Sequence, residues 1–133
     1  MNIIISNNSN VPIYEQIKNS IIKQILDGDL QENELLPSIR ALAKDIRISV
    51  MTIKKAYDEL EEEGYIITRQ GKGSFVAVES NNLILEKAQK DIENYIFEII
   101  SIAKKYNIEK NDIINAFNIY YEEGKDNECD WNK

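Results

Sequence analysis

Histidine is absent from these 133 residues, and cysteine occurs once, at Cys129. Without an imidazole, neither a histidine-assisted nucleophile nor a conventional zinc site can be built, and a lone thiol supplies no intrachain disulfide or thiolate cluster. Cys129 lies in a polar, acidic tail with nothing basic around it to lower its pKa, which argues against a redox role. Trp131, the only tryptophan, reads as a loose residue of the same tail, with a docking anchor as the alternative. No apolar run is long enough to span a bilayer, and Met1 to Ser6 has neither the basic segment nor the longer apolar core of a secretion signal. The expectation is a cytoplasmic protein with no membrane partner, in which Ile3 to Ile5 cover a hydrophobic surface as a short strand.

Catalytic arrangements are also missing. Glu61, Glu62 and Glu63, like Glu122 and Glu123, are consecutive, and consecutive helical residues point in different directions, so they make no acid/base pair. Gln70-Gly71-Lys72-Gly73 has neither the spaced glycines nor the Lys-Ser/Thr pair of a phosphate-binding loop. The chain reads as a non-enzyme, with no cofactor and no metal site.

Positive charge is in short supply overall, with 16 Lys and Arg against 23 Asp and Glu and a net charge of -7. It is concentrated where it occurs. From Ser38 to Tyr57 the charges are Arg40, Lys44, Arg47, Lys54 and Lys55 against Asp45 alone, whereas acids crowd Asp58 to Glu63 and the C-terminal half. A local basic face on an acidic body suits an anionic partner and makes binding strongly salt-dependent.

Around that basic stretch the pattern is regular. Pro37 sets an entry, Ser38 can cap the free amides, and Ile39, Leu42, Ala43 and Ile46 fall on one helical face. Arg47-Ile48-Ser49 breaks the period, and Ser49 is placed to cap a second helix whose buried stripe is Ile53, Ala56, Tyr57 and Leu60. Off that stripe the first turns carry Val50, Met51, Thr52, Lys54 and Lys55, while the acids come at the far end. Cations at a helix N-terminus oppose the helix dipole, so another demand places them, and an anion met by the N-terminal turns of a recognition helix supplies one. A solvated helix face is the plainer alternative. Gly64 then stops the helix, Tyr65 to Arg69 and Ser74 to Val78 read as strands, and the tight connection between them carries Arg69, Gln70, Gly71 and Lys72. Such a ribbon can lie along a minor groove, or be a plain surface hairpin.

Leu36-Pro37-Ser38-Ile39-Arg40-Ala41-Leu42-Ala43, Ser49-Val50-Met51-Thr52-Ile53, Ala56 to Ile66 and Arg69 to Ala77 together resemble the DNA-binding domain of a GntR-family transcription regulator. The resemblance extends to the lead-in helix, from Pro12-Ile13-Tyr14-Glu15-Gln16-Ile17 to Gly28. It implies that Arg40 contacts a phosphate or base edge, that Ser49, Met51, Thr52 and Lys54 lie at the reading end of the recognition helix, and that Gln70, Gly71 and Lys72 reach the minor groove. Val50 departs from the family, where a polar or basic residue commonly follows the cap serine. Valine cannot make an arginine's bidentate contact to guanine, so a relative's operator sequence does not carry over.

From Leu83 onward, Leu85, Ala88, Ile92, Tyr95, Ile99, Ile102 and Tyr106 alternate steps of three and four, the spacing of a seam facing another helix. Asn107 can end that helix, and a second, from about Lys110 to Glu122, carries Ile113, Ile114, Phe117, Tyr120 and Tyr121. One hairpin cannot bury both stripes, which points to pairing with a second copy; packing back onto the chain's own winged domain is the alternative. A two-helix tail of this size resembles the YtrA-like branch of the family.

The expected protein is mostly α with a small β-wing. A winged helix-turn-helix domain (1–79) precedes a helical dimerisation hairpin (80–123) and a disordered tail (124–133). The expected function is a homodimeric repressor on an inverted-repeat DNA operator. The DNA-facing set is Ser38, Arg40, Ser49, Val50, Met51, Thr52, Lys54, Lys55, Arg69, Gln70, Gly71 and Lys72, and the dimer set is Leu85, Ala88, Ile92, Tyr95, Ile99, Ile102, Tyr106, Phe117 and Tyr121. Two other readings stay open. One is a winged-helix protein-interaction module; the other adds a small-molecule effector among Tyr95, Tyr106, Phe117, Tyr120 and Tyr121.

Overall fold

The computed structural model describes residues 1–126; Cys129, Trp131 and the rest of the tail from 127 lie outside the described residues. In chain order the elements are α1 (Ile13–Asp27), α2 (Ile39–Ile46), α3 (Val50–Glu62), β1 (Ile66–Arg69), β2 (Gly73–Val76), α4 (Ser80–Lys105) and α5 (Lys110–Asp126). The fold is thus mostly helical with a small antiparallel wing. It divides into two compact units, Met1–Glu86 and the residues from Lys87 onward.

In the first unit α1 places Ile17, Ile21 and Ile25 four residues apart on one stripe, and α3 does the same with Ile53, Ala56, Tyr57 and Leu60. Those stripes meet Leu42 and Ala43 of α2 and Ile66 and Val76 of the ribbon in one cluster. Fully buried aliphatic side chains such as Ile17, Ile53 and Leu60 each contribute roughly 2 kcal/mol. Across the same packing, the Lys18 ammonium of α1 donates to Glu59 of α3 at 3.2 Å and to Glu63, the C-cap of α3, at 2.8 Å.

Local chemistry sets the helix ends. The Ser38 hydroxyl accepts from the Ala41 N–H at 3.1 Å, and the Ser49 hydroxyl from the Thr52 N–H at 3.2 Å. Each such cap is worth about 1 kcal/mol. Between them α2 closes through Arg47 in the left-handed conformation (φ 56°), with the amides of Arg47 and Ile48 both directed to the Ala43 carbonyl.

The ribbon pairs Ile66 with Val76 and Arg69 with Gly73, so β2 ends two residues before Val78. Tyr65 lies outside β1: its N–H donates to the Leu60 carbonyl at the end of α3, while its carbonyl accepts from the Ala77 N–H at 3.0 Å. A strap has no counterpart in the sequence reading. Leu35 bridges Phe75 on the free edge of β2, with Leu36 N–H donating to Ser74 O at 2.8 Å and Val76 N–H to Glu34 O at 3.0 Å. β2 is therefore paired on both sides, by β1 and by the strap.

The strand expected at Ile3 to Ile5 does not form. Ile3 does join the core, but Gln16 and Gln24, two turns apart on α1, take the place of a neighbouring strand. The Gln16 amide pairs with the backbone N–H and C=O of Ser6, and the Gln24 amide with those of Asn2.

In the second unit α4 ends after Lys105, Asn107 turns the chain at φ 57°, and α5 returns as far as Asp126. Ala103 is buried there, and Ile113 and Ala116 are half-buried. Phe117 and Tyr121, one turn apart, stack at 5.5 Å between ring centroids.

Candidate nucleic-acid interface

α3 buries one stripe completely and leaves its first turn bare. Met51 is 73% exposed and Val50 45%, large apolar groups standing in solvent at the end of a helix whose other face is the core. Ser49 and Thr52 share a hydroxyl contact of 2.7 Å beside them, which fixes the rotamers of two hydrogen-bonding groups at this end. The first turn holds no acid and the last no base, so the charge order along α3 does oppose the helix dipole.

The cations of the candidate set divide into two kinds. Arg40 and Lys72 are exposed and have no ion-pair partner among the described residues. Lys54 is exposed but paired with Asp58 at 2.6 Å, one turn on, an open surface pair worth well under about 1 kcal/mol and readily exchanged for another anion. Lys55 turns the other way, its ammonium 3.9 Å from the centroid of the Tyr14 ring on α1. Arg69 lies over the Phe75 ring at 4.9 Å, which stiffens the arginine along the ribbon.

Gln70, Gly71 and Lys72 form the wing tip between Arg69 and Gly73, with the Lys72 N–H donating to the Arg69 carbonyl at 2.9 Å. Gly71 has φ 77° and open space around it; Gly73 has φ 111°, and a Cβ there would stand 3.0 Å from Leu35 Cδ1. Gly73→Ala is therefore expected to cost about 2 kcal/mol and to loosen the Leu35 strap, against about 1 kcal/mol for Gly71→Ala, measured as urea midpoints. Thr68 fastens the ribbon to α3 by donating to the Glu61 carboxylate.

Beneath this surface Tyr57 is buried on α3, and its hydroxyl donates to the Pro37 carbonyl at 2.7 Å, tying α3 to the corner that opens α2. Burial pushes its phenol well above the ordinary 10.0, so it stays neutral.

The structure leaves every residue of the proposed dimer set exposed in the single chain, from Leu85 and Ile92 on α4 to Phe117 and Tyr121 on α5. Among the described residues no helix is long and apolar enough to cross a membrane, and no group of acids is arranged to hold a metal ion.

Comparison with known proteins gives this surface a family. The model of "Bacterial regulatory proteins, gntR family" matches residues 13–76, from the start of α1 to the end of β2. The HTH-type transcriptional repressor YtrA of Bacillus subtilis is 34% identical over 101 residues, covering 76% of this chain and 78% of YtrA. The solved GntR-family transcription factor YtrA of Sulfolobus acidocaldarius is 33% identical, with a TM-score of 0.57 over 91% of this chain and 97% of that one. The DNA-binding domain of AraR, solved with its operator ORX1, is 28% identical with a TM-score of 0.52, covering 58% of this chain and 96% of that domain. The likeness covers more of the chain than the winged unit alone, and the chain belongs to the GntR family of transcription regulators, as a YtrA-like member.

Proposed function

We propose that the protein is a homodimeric repressor that reads an inverted-repeat DNA operator. The first turn of α3 enters the major groove, and the wing tip at Gln70 to Lys72 lies in the minor groove. The observation that carries this is the bare, Ser49-capped first turn of α3: Val50 and Met51 are exposed there at no benefit to folding, and methyl-bearing side chains at such a position can contact thymine methyls. Arg40 and Lys72 supply phosphate contacts on either side, and Lys54 joins them by leaving Asp58. Lys55 acts as a brace against Tyr14. The AraR domain on its operator supports the DNA mode by likeness.

Dimerisation is supported by the apolar surface left open in the second unit. Ile92, Tyr95, Ile99 and Ile102 are each about half exposed or more, too much apolar area in one stripe for a soluble monomer. A second copy of the hairpin closes a small bundle and sets two winged units for two half-sites.

The test is a titration of the protein against the DNA upstream of its own coding sequence, with random competitor DNA at two salt concentrations. Tight binding that survives competition, at two subunits per site, is the expected result. Binding to neither DNA would favour a winged-helix protein-interaction module.

A further inference from the structure

We propose that Lys44 and Arg47 extend the DNA contact along α2 as a ridge of phosphate-binding cations, continuing from Arg40. The proposal rests on the DNA-binding reading above.

Arg40 and Lys44 stand four residues apart on one face of α2, while Leu42 and Ala43 occupy the buried one, and Arg47 follows directly as the residue that closes the helix. All three are exposed and have no ion-pair partner among the described residues. On a chain of net charge -7, three neighbouring unneutralised cations on one short helix and its C-cap are a marked local excess. Asp45, the one acid of α2, falls off that face.

Arg47 adds an independent observation. It closes α2 at φ 56°, a conformation that disfavours any side chain with a Cβ, at an exposed position where glycine would serve the fold better. An outlier that folding does not need invites a functional explanation. Two residues before the Ser49 cap, Arg47 sits at the junction of the two helices of the helix-turn-helix. In that motif the first helix crosses the phosphate backbone while the second enters the groove. Cations along the first helix therefore meet phosphates rather than base edges, adding affinity without sequence information.

The experiment compares wild type, K44Q/R47Q and R47G on the upstream fragment and on a random-sequence duplex across a salt series. The expected double variant binds both DNAs more weakly by the same factor, and its slope of log affinity against log salt is shallower by about 1.8, roughly 0.9 per lost contact. R47G is expected to lose about half of that slope while melting a few degrees higher, about 4 °C, because glycine relieves the left-handed position. That opposite movement of stability and binding separates a DNA contact from a folding defect. Wild-type slopes in both variants would overturn the ridge while leaving the DNA reading intact. Weakening confined to the upstream fragment would overturn the phosphate role by making these residues base readers, and no wild-type binding to either DNA would overturn both readings.

Discussion

A chain carrying glutamate at both Ile92 and Ile99 is expected to run as a monomer in sedimentation and to bind the operator at least about 100-fold more weakly than wild type. The two isoleucines are one heptad apart on the same seam of α4, 59% and 45% exposed in the single chain. Each would be buried by a second copy and would then place a carboxylate in an apolar bundle, where an unpaired charge is not tolerated. Because the substitutions are on exposed positions, the winged unit keeps its core and its melting transition is unchanged. The loss in DNA binding then measures linkage alone. Two winged units held together meet the second half-site at high effective concentration, and separate ones do not. A monomer with full operator affinity would remove the two-half-site reading, and a dimer surviving both glutamates would place the interface elsewhere.

The contrast between what residues reveal locally and what they conceal runs through the fold. Ser38 and Ser49 were legible as caps because capping joins residues three apart, and both hydroxyls hold the amides that spacing assigns them. The ribbon was legible because its strands are β-branched and its turn is glycine-rich, although pairing stops at Val76. The Leu35 strap was not, since Gln31 to Glu34 is a polar run with no strand pattern and its bond partners are backbone N–H and C=O groups of a distant edge. The glutamine amides that hold Asn2 and Ser6 left no signal either, because Gln16 and Gln24 look like ordinary polar positions of α1. For the candidate site, the exposed first turn of α3 and the wing tip lie where spacing put them. The engagement of Lys54 with Asp58 follows an i to i+4 rule that was available in the sequence; that of Lys55 with Tyr14 needs the packing of α1 on α3.

Lys18→Met is expected to lower the stability of the winged unit by about 2 kcal/mol, a fall in Tm of roughly 10 °C. The reason lies in what the lysine leaves behind. Glu59, in the last turn of α3, and Glu63, its C-cap, are four residues apart and partly shielded from water, and Lys18, itself only 14% exposed, is what both contact. Taking away the shared cation sets two like charges against each other beside an apolar surface. K18M/E59Q/E63Q, which removes the repulsion along with the attraction, is therefore expected to recover more than half of the loss; if it recovers nothing, the lysine acts through packing of its aliphatic stem. The pH dependence gives a second readout. Burial on its own pulls the Lys18 ammonium down, but its hydrogen bonds and charge contacts with Glu63 and Glu59 outweigh that, leaving its pKa above the ordinary 10.5. A raised folded pKa contributes stability that is complete below the unfolded value and disappears as pH climbs through the folded one, so the wild type weakens above pH 10.5. Tyr57, whose phenol is also raised, acts with the same sign from its ordinary 10.0 upward. K18M removes the first contribution and Tyr57→Phe the second, so each single variant should lose stability less steeply in alkali than the wild type, and the double variant least steeply of all. Equal alkaline slopes in all four proteins would mean that neither group carries the linkage, and that α1 is held on α3 by its isoleucine stripe alone.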